Sequence, residues 1–116
     1  MSNNPTDPRA PLEPQASFRR SDGGDAPRLE VSGEIDVFTS PSMREELYGM
    51  IDDGATTIVI DCSRMDFIDS SGLGVLVGAL KRIRERGGDF ELLSLNPSTR
   101  KVFEITGLTT LFTIRD

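Results

Sequence analysis

Histidine is absent from the 116-residue chain, which removes the commonest metal ligand and every triad in which an imidazole takes a nucleophile's proton. Cysteine occurs once, at Cys62. No internal disulfide is available, and without a Cys/His cluster there is no structural zinc site; both fit a reducing compartment. Cations are the minority: 13 Lys plus Arg stand against 19 Asp plus Glu. The formal net charge of -6 repels a phosphate backbone and argues against nucleic acid as a partner. Apolar runs are short. The longest, around residues 57–60 and 75–77, fall far below the ~20 residues that span a bilayer, and the N-terminus lacks the apolar core of a secretory signal. The expectation is a cytoplasmic protein with no membrane attachment.

What is present suffices for one domain. Hydrophobic residues at 36% can build a core, and charged residues at 28% can keep it in solution. A chain of this length leaves no room for a separate catalytic domain. Residues 1–14 carry Pro5, Pro8, Pro11 and Pro14, a spacing of three that favours extended polyproline II over a packed element. They are expected to form a flexible tail, with a recognition arm as the alternative, and 15–116 to form the domain.

Within the domain, residues 16–20 read as a short strand followed by the turn signal Asp22-Gly23-Gly24-Asp25. A second strand follows in which Leu29, Val31 and Ile35 alternate with Glu30, Ser32 and Glu34. Ser40-Pro41 is a good N-cap and first-turn pair for a helix with Met43, Leu47, Met50 and Ile51 on one face, stopped by Gly54. The β-branched run at 57–60 suits a central strand covered on both faces and ending at Asp61, with 62–69 as a loop. Leu73, Leu76, Val77, Leu80 and Ile83 form a helical stripe that ends at Gly87-Gly88. Residues 90–95 read as a strand, Asn96-Pro97 opens a third helix carrying Val102 and Phe103, Gly107 closes it, and 111–114 read as an edge strand. A hairpin followed by alternating helices and strands predicts an α/β fold, a mixed β-sheet with helices packed against it.

The unusual stretch is Asp66-Phe67-Ile68-Asp69-Ser70-Ser71-Gly72-Leu73-Gly74, polar and glycine-containing where a helix begins. Its spacing fits neither the G-x-G-x-x-G nor the G-x-x-x-x-G-K-[ST] phosphate loop. Ser70 has no G-x-S-x-G around it and no histidine to activate it, so a hydrolase is not expected. A purely structural reading has Ser70 capping the helix through its side-chain oxygen, with Asp69 favouring the positive helix end. Yet Gly72, Gly74 and Gly78 each cost about 1 kcal/mol relative to Ala inside a helix. Some close approach is implied: Gly74 and Gly78 share a stripe that admits the sheet or a docking partner, the sheet being favoured.

Val31-Ser32-Gly33-Glu34-Ile35-Asp36, the strand at 58–61 and Phe67-Ile68-Asp69-Ser70-Ser71-Gly72-Leu73-Gly74, in that order, resemble the STAS domain of bacterial anti-sigma factor antagonists. The resemblance covers residues from about 16 to 116. It implies a STAS fold and a protein-binding switch that is not an enzyme and needs no cofactor or metal. In that family the antagonist binds an anti-sigma factor that is also a serine kinase, displacing the sigma factor. The kinase then phosphorylates the serine after the motif aspartate, here Ser70, and a metal-dependent serine phosphatase restores the active form. By the same match Asp36 and Asp69 line the site, Ser71 is its polar neighbour, and Gly72 and Gly74 belong to the partner-binding surface. A STAS interaction or scaffold module in another regulatory assembly is the alternative.

Two features lie outside these motifs. Asp61 at a strand end could suggest the phospho-accepting aspartate of a receiver domain, but the early acidic cluster of a receiver is missing. Lys81, Arg82, Arg84 and Arg86 are expected to complement the helix C-terminus and stay solvated, with a docking surface for an acidic partner as the second reading.

Overall fold

The computed structural model describes residues 15–22, 24 and 26–116; the proline-rich residues 1–14 lie outside them. Five strands and three helices follow one another as β1 (Ala16–Asp22), β2 (Pro27–Ile35), α1 (Ser40–Asp52), β3 (Thr57–Ile68), α2 (Ser70–Glu85), β4 (Asp89–Leu93), α3 (Pro97–Ile105) and β5 (Thr113–Arg115). A 3-10 turn, Leu108–Thr110, separates α3 from β5. The strands form one sheet in the order β1-β2-β3-β4-β5. β1 and β2 pair antiparallel as the expected hairpin, and every later pair is parallel.

Strand alternation divides the sheet into two unlike faces. Leu29, Val31, Ile58, Ile60, Phe90 and Leu92 join Met43, Leu47, Met50, Ile51, Leu76, Leu80 and Ile83 of the helices in one buried core. The residues between them in register, Arg19, Arg28, Glu30, Asp61, Glu91 and Arg115, stand on the other face and pair across strands as Arg19–Glu30, Arg28–Asp61 and Arg115–Glu91. The central strand is therefore covered by helices on one face only. Val59, on the second face, is 8% exposed and lies in register between Arg28 and Glu91. The aliphatic stems of such neighbours cover apolar surface while their charged ends stay wet.

The central strand also runs further than expected. Residues 62–68 continue β3 instead of forming a loop, paired to β2 as Ser32↔Arg64, Gly33↔Met65, Glu34↔Phe67 and Ile35↔Ile68. Two register shifts, between Glu30 and Ser32 and between Gly33 and Glu34, move the buried positions to Cys62, Met65 and Ile68. A spacing of three hides a strand from a search for alternation, because a bulge adds a residue to one strand and not to its partner.

Smaller differences concern element ends. Ser40 is buried inside the first turn of α1, and Thr39 occupies the cap position. β4 ends at Leu93, and Ser94 adopts a positive φ of 63° as its N–H donates to the Arg115 carbonyl (2.8 Å). Of the basic stretch at the end of α2, Arg82 and Arg86 bridge to Asp52 of α1 (2.9 and 3.2 Å) and Arg84 to Asp89 (3.3 Å), while Lys81 is exposed.

Candidate functional site

The site forms where β2 and β3 end side by side. Ile35 pairs with Ile68, and the Asp69 N–H donates to the Ile35 carbonyl (3.0 Å), so the turn after β2 and the start of α2 leave neighbouring points of the sheet. Asp69 is extended (φ -105°, ψ -172°) and caps α2: its Oδ1 accepts from the N–H groups of Ser71 (2.8 Å) and Gly72 (3.3 Å). The cap is thus Asp69 and not Ser70. Ser70 is the first residue of the helix, exposed, with its hydroxyl free of the capping role; Ser71, one step on, is half-buried. A carboxylate suits the place because the helix start carries unpaired N–H donors and the positive end of the dipole.

The three glycines divide by what surrounds them. A Cβ on Gly72 would lie 2.6 Å from Ile68 Cγ1 and 2.7 Å from Ile35 Cγ2, so this glycine lets α2 sit against the strand ends. One on Gly78 would meet the Tyr48 hydroxyl of α1 (2.7 Å), which places that close approach between two helices and not on the sheet. One on Gly74 would meet nothing within 4 Å. Gly74 is exposed one turn from Ser70, and no packing among the described residues explains it.

Asp36 sits in the turn after β2. Its Oδ1 accepts from the N–H groups of Phe38 (2.9 Å) and Thr39 (3.1 Å), so the carboxylate organises its own turn. No hydrogen bond among the described residues joins it to Ser70 or Asp69. Three large apolar residues are exposed here: Val37 and Phe38, which sequence reasoning passed over, and Phe67 of the quoted motif, 49% exposed and in register with Glu34. Their signal was the apolar pair Val37-Phe38 between Asp36 and Thr39, where a turn is ordinarily polar. The remaining nucleophile, Cys62, is buried, and burial, reinforced by the Asp61 charge, pushes its thiol up to about 12. Among the described residues no group of three or more Cys, Asp or Glu could hold a metal ion, and no helix is long and apolar enough to cross a membrane.

The chain can be set beside known proteins at this point. The family model for the STAS domain matches residues 23–116. A relative from Bacillus subtilis (strain 168) named anti-sigma-B factor antagonist is 37% identical over 81 residues, covering 70% of this chain and 73% of the relative. One of the same name from Staphylococcus aureus (strain NCTC 8325 / PS 47) is 34% identical over 88 residues, covering 76% and 82%. Among solved structures, an anti-sigma factor antagonist from Mycobacterium paratuberculosis superposes with a TM-score of 0.78 at 28% identity, covering 86% of this chain and 85% of that one. SpoIIAA, described as a Bacillus cell fate determinant, superposes in its unphosphorylated form (TM-score 0.72, 29% identity, 84% and 87% covered) and in its phosphorylated form (0.67, 29%, 84% and 90%). From the matched span, these identities and the shared fold, the chain belongs to the STAS domain family, with the anti-sigma factor antagonists.

Proposed function

We propose that this chain frees a sigma factor by binding its anti-sigma factor, which is also a serine kinase, and that phosphorylation of Ser70 switches it off. The observation that carries the reading is Ser70 itself: an exposed hydroxyl on the first residue of α2, next to the capping Asp69 and close to exposed apolar side chains. An apolar surface of this kind is where a protein partner gains most from excluding water. The chain acts as a binding module in the cytoplasm. Phosphoryl transfer belongs to the kinase, and removal of the phosphate to a metal-dependent serine phosphatase.

Phosphorylation adds about -1.5 to -2 charges at Ser70. The N–H groups of Ser71 and Gly72, which could have received that charge, are already bound to Asp69. The phosphate therefore stands beside a carboxylate, and in the complex it faces a kinase site built around nucleotide phosphates. Like charges brought together in an interface cost several kcal/mol, and each 1.4 kcal/mol is about tenfold in affinity. Release follows with the fold retained, in keeping with the superposition on both forms of SpoIIAA.

Incubation with the cognate kinase and ATP, followed by mass spectrometry, tests the reading. Phosphate is expected on Ser70 and not on half-buried Ser71. Ser70→Ala is expected to bind the kinase and gain no phosphate, and Ser70→Asp to bind more weakly. Phosphate on Ser71, or Ser70→Asp binding as tightly as the unmodified chain, would overturn it.

A further inference from the structure

Residues 36–39 join β2 to α1 and hold Phe38, which at 84% exposed is the most exposed large apolar side chain among the described residues, next to Val37 at 61%. Asp36 keeps them outside. Its Oδ1 accepts from the Phe38 and Thr39 N–H groups, its own N–H donates to Thr39 Oγ1 (2.9 Å), and its carbonyl accepts from the Ser40 N–H (2.8 Å). Thr39 Oγ1 in turn donates to the Glu34 carbonyl (2.8 Å). These bonds from Asp36 and Thr39 hold the turn in a shape that leaves Val37 and Phe38 exposed to solvent. A side-chain carboxylate that bonds N–H groups two and three residues on is the usual device for fixing such a turn.

We infer that Asp36 is a positioning residue that acts through Phe38, and that Phe38 is the anchor inserted into an apolar pocket of the anti-sigma kinase. The inference rests on the function proposed above and changes the part given to Asp36, from a group that lines the partner site to one that shapes it. The turn is continuous with the Ser70 surface, because Ile35, directly before Asp36, is bonded to Asp69 and pairs with Ile68. Glu34 and Asp66 are exposed on this end of the sheet and have no cationic partner among the described residues. The fitting partner surface is thus an apolar pocket with cations at its border. Aromatic anchors in well-packed pockets are the residues on which binding energy concentrates.

The test is titration of the full chain and its variants with the kinase that phosphorylates Ser70, beside amide hydrogen exchange on each free protein. Phe38→Ser is expected to weaken binding about tenfold or more. Asp36→Ala is expected to do nearly as much, whereas Asp36→Asn, which keeps an Oδ1 acceptor and loses the charge, stays within about threefold of the intact chain. Asp36→Ala added to Phe38→Ser is expected to cost nothing further, since a residue that acts through another has no effect once the other is gone. Hydrogen exchange is expected to show the Phe38 and Thr39 amides protected in the intact chain and in Asp36→Asn, and fast in Asp36→Ala. Asp36→Asn binding as poorly as Asp36→Ala would mean a direct charge contact and overturn the inference, as would additive losses or amides that stay protected in Asp36→Ala. An intact chain that the kinase does not modify at Ser70 overturns the proposed function instead; the exchange data still report whether Asp36 holds the turn.

Discussion

At the scale of single residues, neighbours decide what a side chain or its absence does. Cys62 and Ser70 are both nucleophile types, yet the core closes over Cys62 while Ser70 stands in solvent. Burial first, and the Asp61 charge second, raise the Cys62 thiol from 9.0 to about 12. The thiol is therefore neutral in the folded chain at pH 8, and a disulfide reagent is expected to modify it only at the rate of unfolding, rising to the full rate in denaturant. The same shift sets a pH dependence: below pH 9 the thiol holds its proton in both states, and between 9 and about 12 the unfolded chain loses it first. Stability is lost as pH rises through that window, which denaturant titrations at pH 8 and 10 on the intact chain and Cys62→Ala would reveal as a steeper loss in the former. The glycines divide in the same way. Gly72→Ala is expected to cost about 1–3 kcal/mol through contact with Ile68 and Ile35. Gly74→Ala, with nothing near it, should raise helix stability by up to about 1 kcal/mol. If Gly74 serves the partner surface, the variant melts higher and binds the kinase more weakly.

At the scale of elements, α2 shows how one residue serves stability and leaves the next for function. Asp69 follows β3, accepts two N–H groups at the helix start and anchors to Ile35, so that the cap does not depend on Ser70. Removing the cap is expected to cost about 1 kcal/mol, so Asp69→Ala should lower the melting temperature while Asp69→Asn stays near the intact chain. Ser70→Ala should leave it unchanged; a comparable drop would mean that Ser70 shares the capping role. α1 is joined to α2 by packing of Tyr48 against Gly78 and by the Asp52 bridges to Arg82 and Arg86. The guanidinium groups of Arg44 of α1 and Arg82 of α2 lie over the Tyr48 ring (4.5 and 4.9 Å), so Arg82 serves this helix–helix contact.

At the scale of the whole molecule, helices pack on one face of the sheet and ion pairs line the other. Exposed pairs of this sort contribute little to stability individually, about 0–1 kcal/mol. Their larger effect is to make the open face unattractive to another sheet, and the short β5 limits pairing at its edge. The buried core begins at Leu29, with Ala16 and Phe18 packed against it. Deleting residues 1–14 is therefore expected to leave the melting temperature almost unchanged. Deleting 1–22 removes β1, the Phe18 contact and the Arg20 bridge to Glu46 (2.7 Å), and leaves β2 as an open edge. That truncation should unfold or aggregate at temperatures where the shorter deletion is intact. Equal melting of the two would show that β1 is dispensable.

The sequence by itself determined the hairpin, the helical stripes of α1 and α2, the central place of 57–60 and the motif that brought Ser70 forward. Each is written in local periodicity or in a contiguous run, which neighbours along the chain enforce. Only the tertiary structure decided what depends on residues far apart in sequence. The extension of β3 through 62–68 rests on two bulges in its pairing with β2, and a bulge exists only where two strands meet. The capping of α2 by Asp69 rather than Ser70 follows from the extended approach that the Ile35 carbonyl holds in place. Gly78 meets Tyr48 because α1 and α2 pack together, while a side chain at Gly74 would meet nothing within 4 Å among the described residues. Val37 and Phe38 follow the end of β2 close to where Phe67 pairs with Glu34, because β2 and β3 end together, thirty residues apart in the chain and adjacent in the sheet.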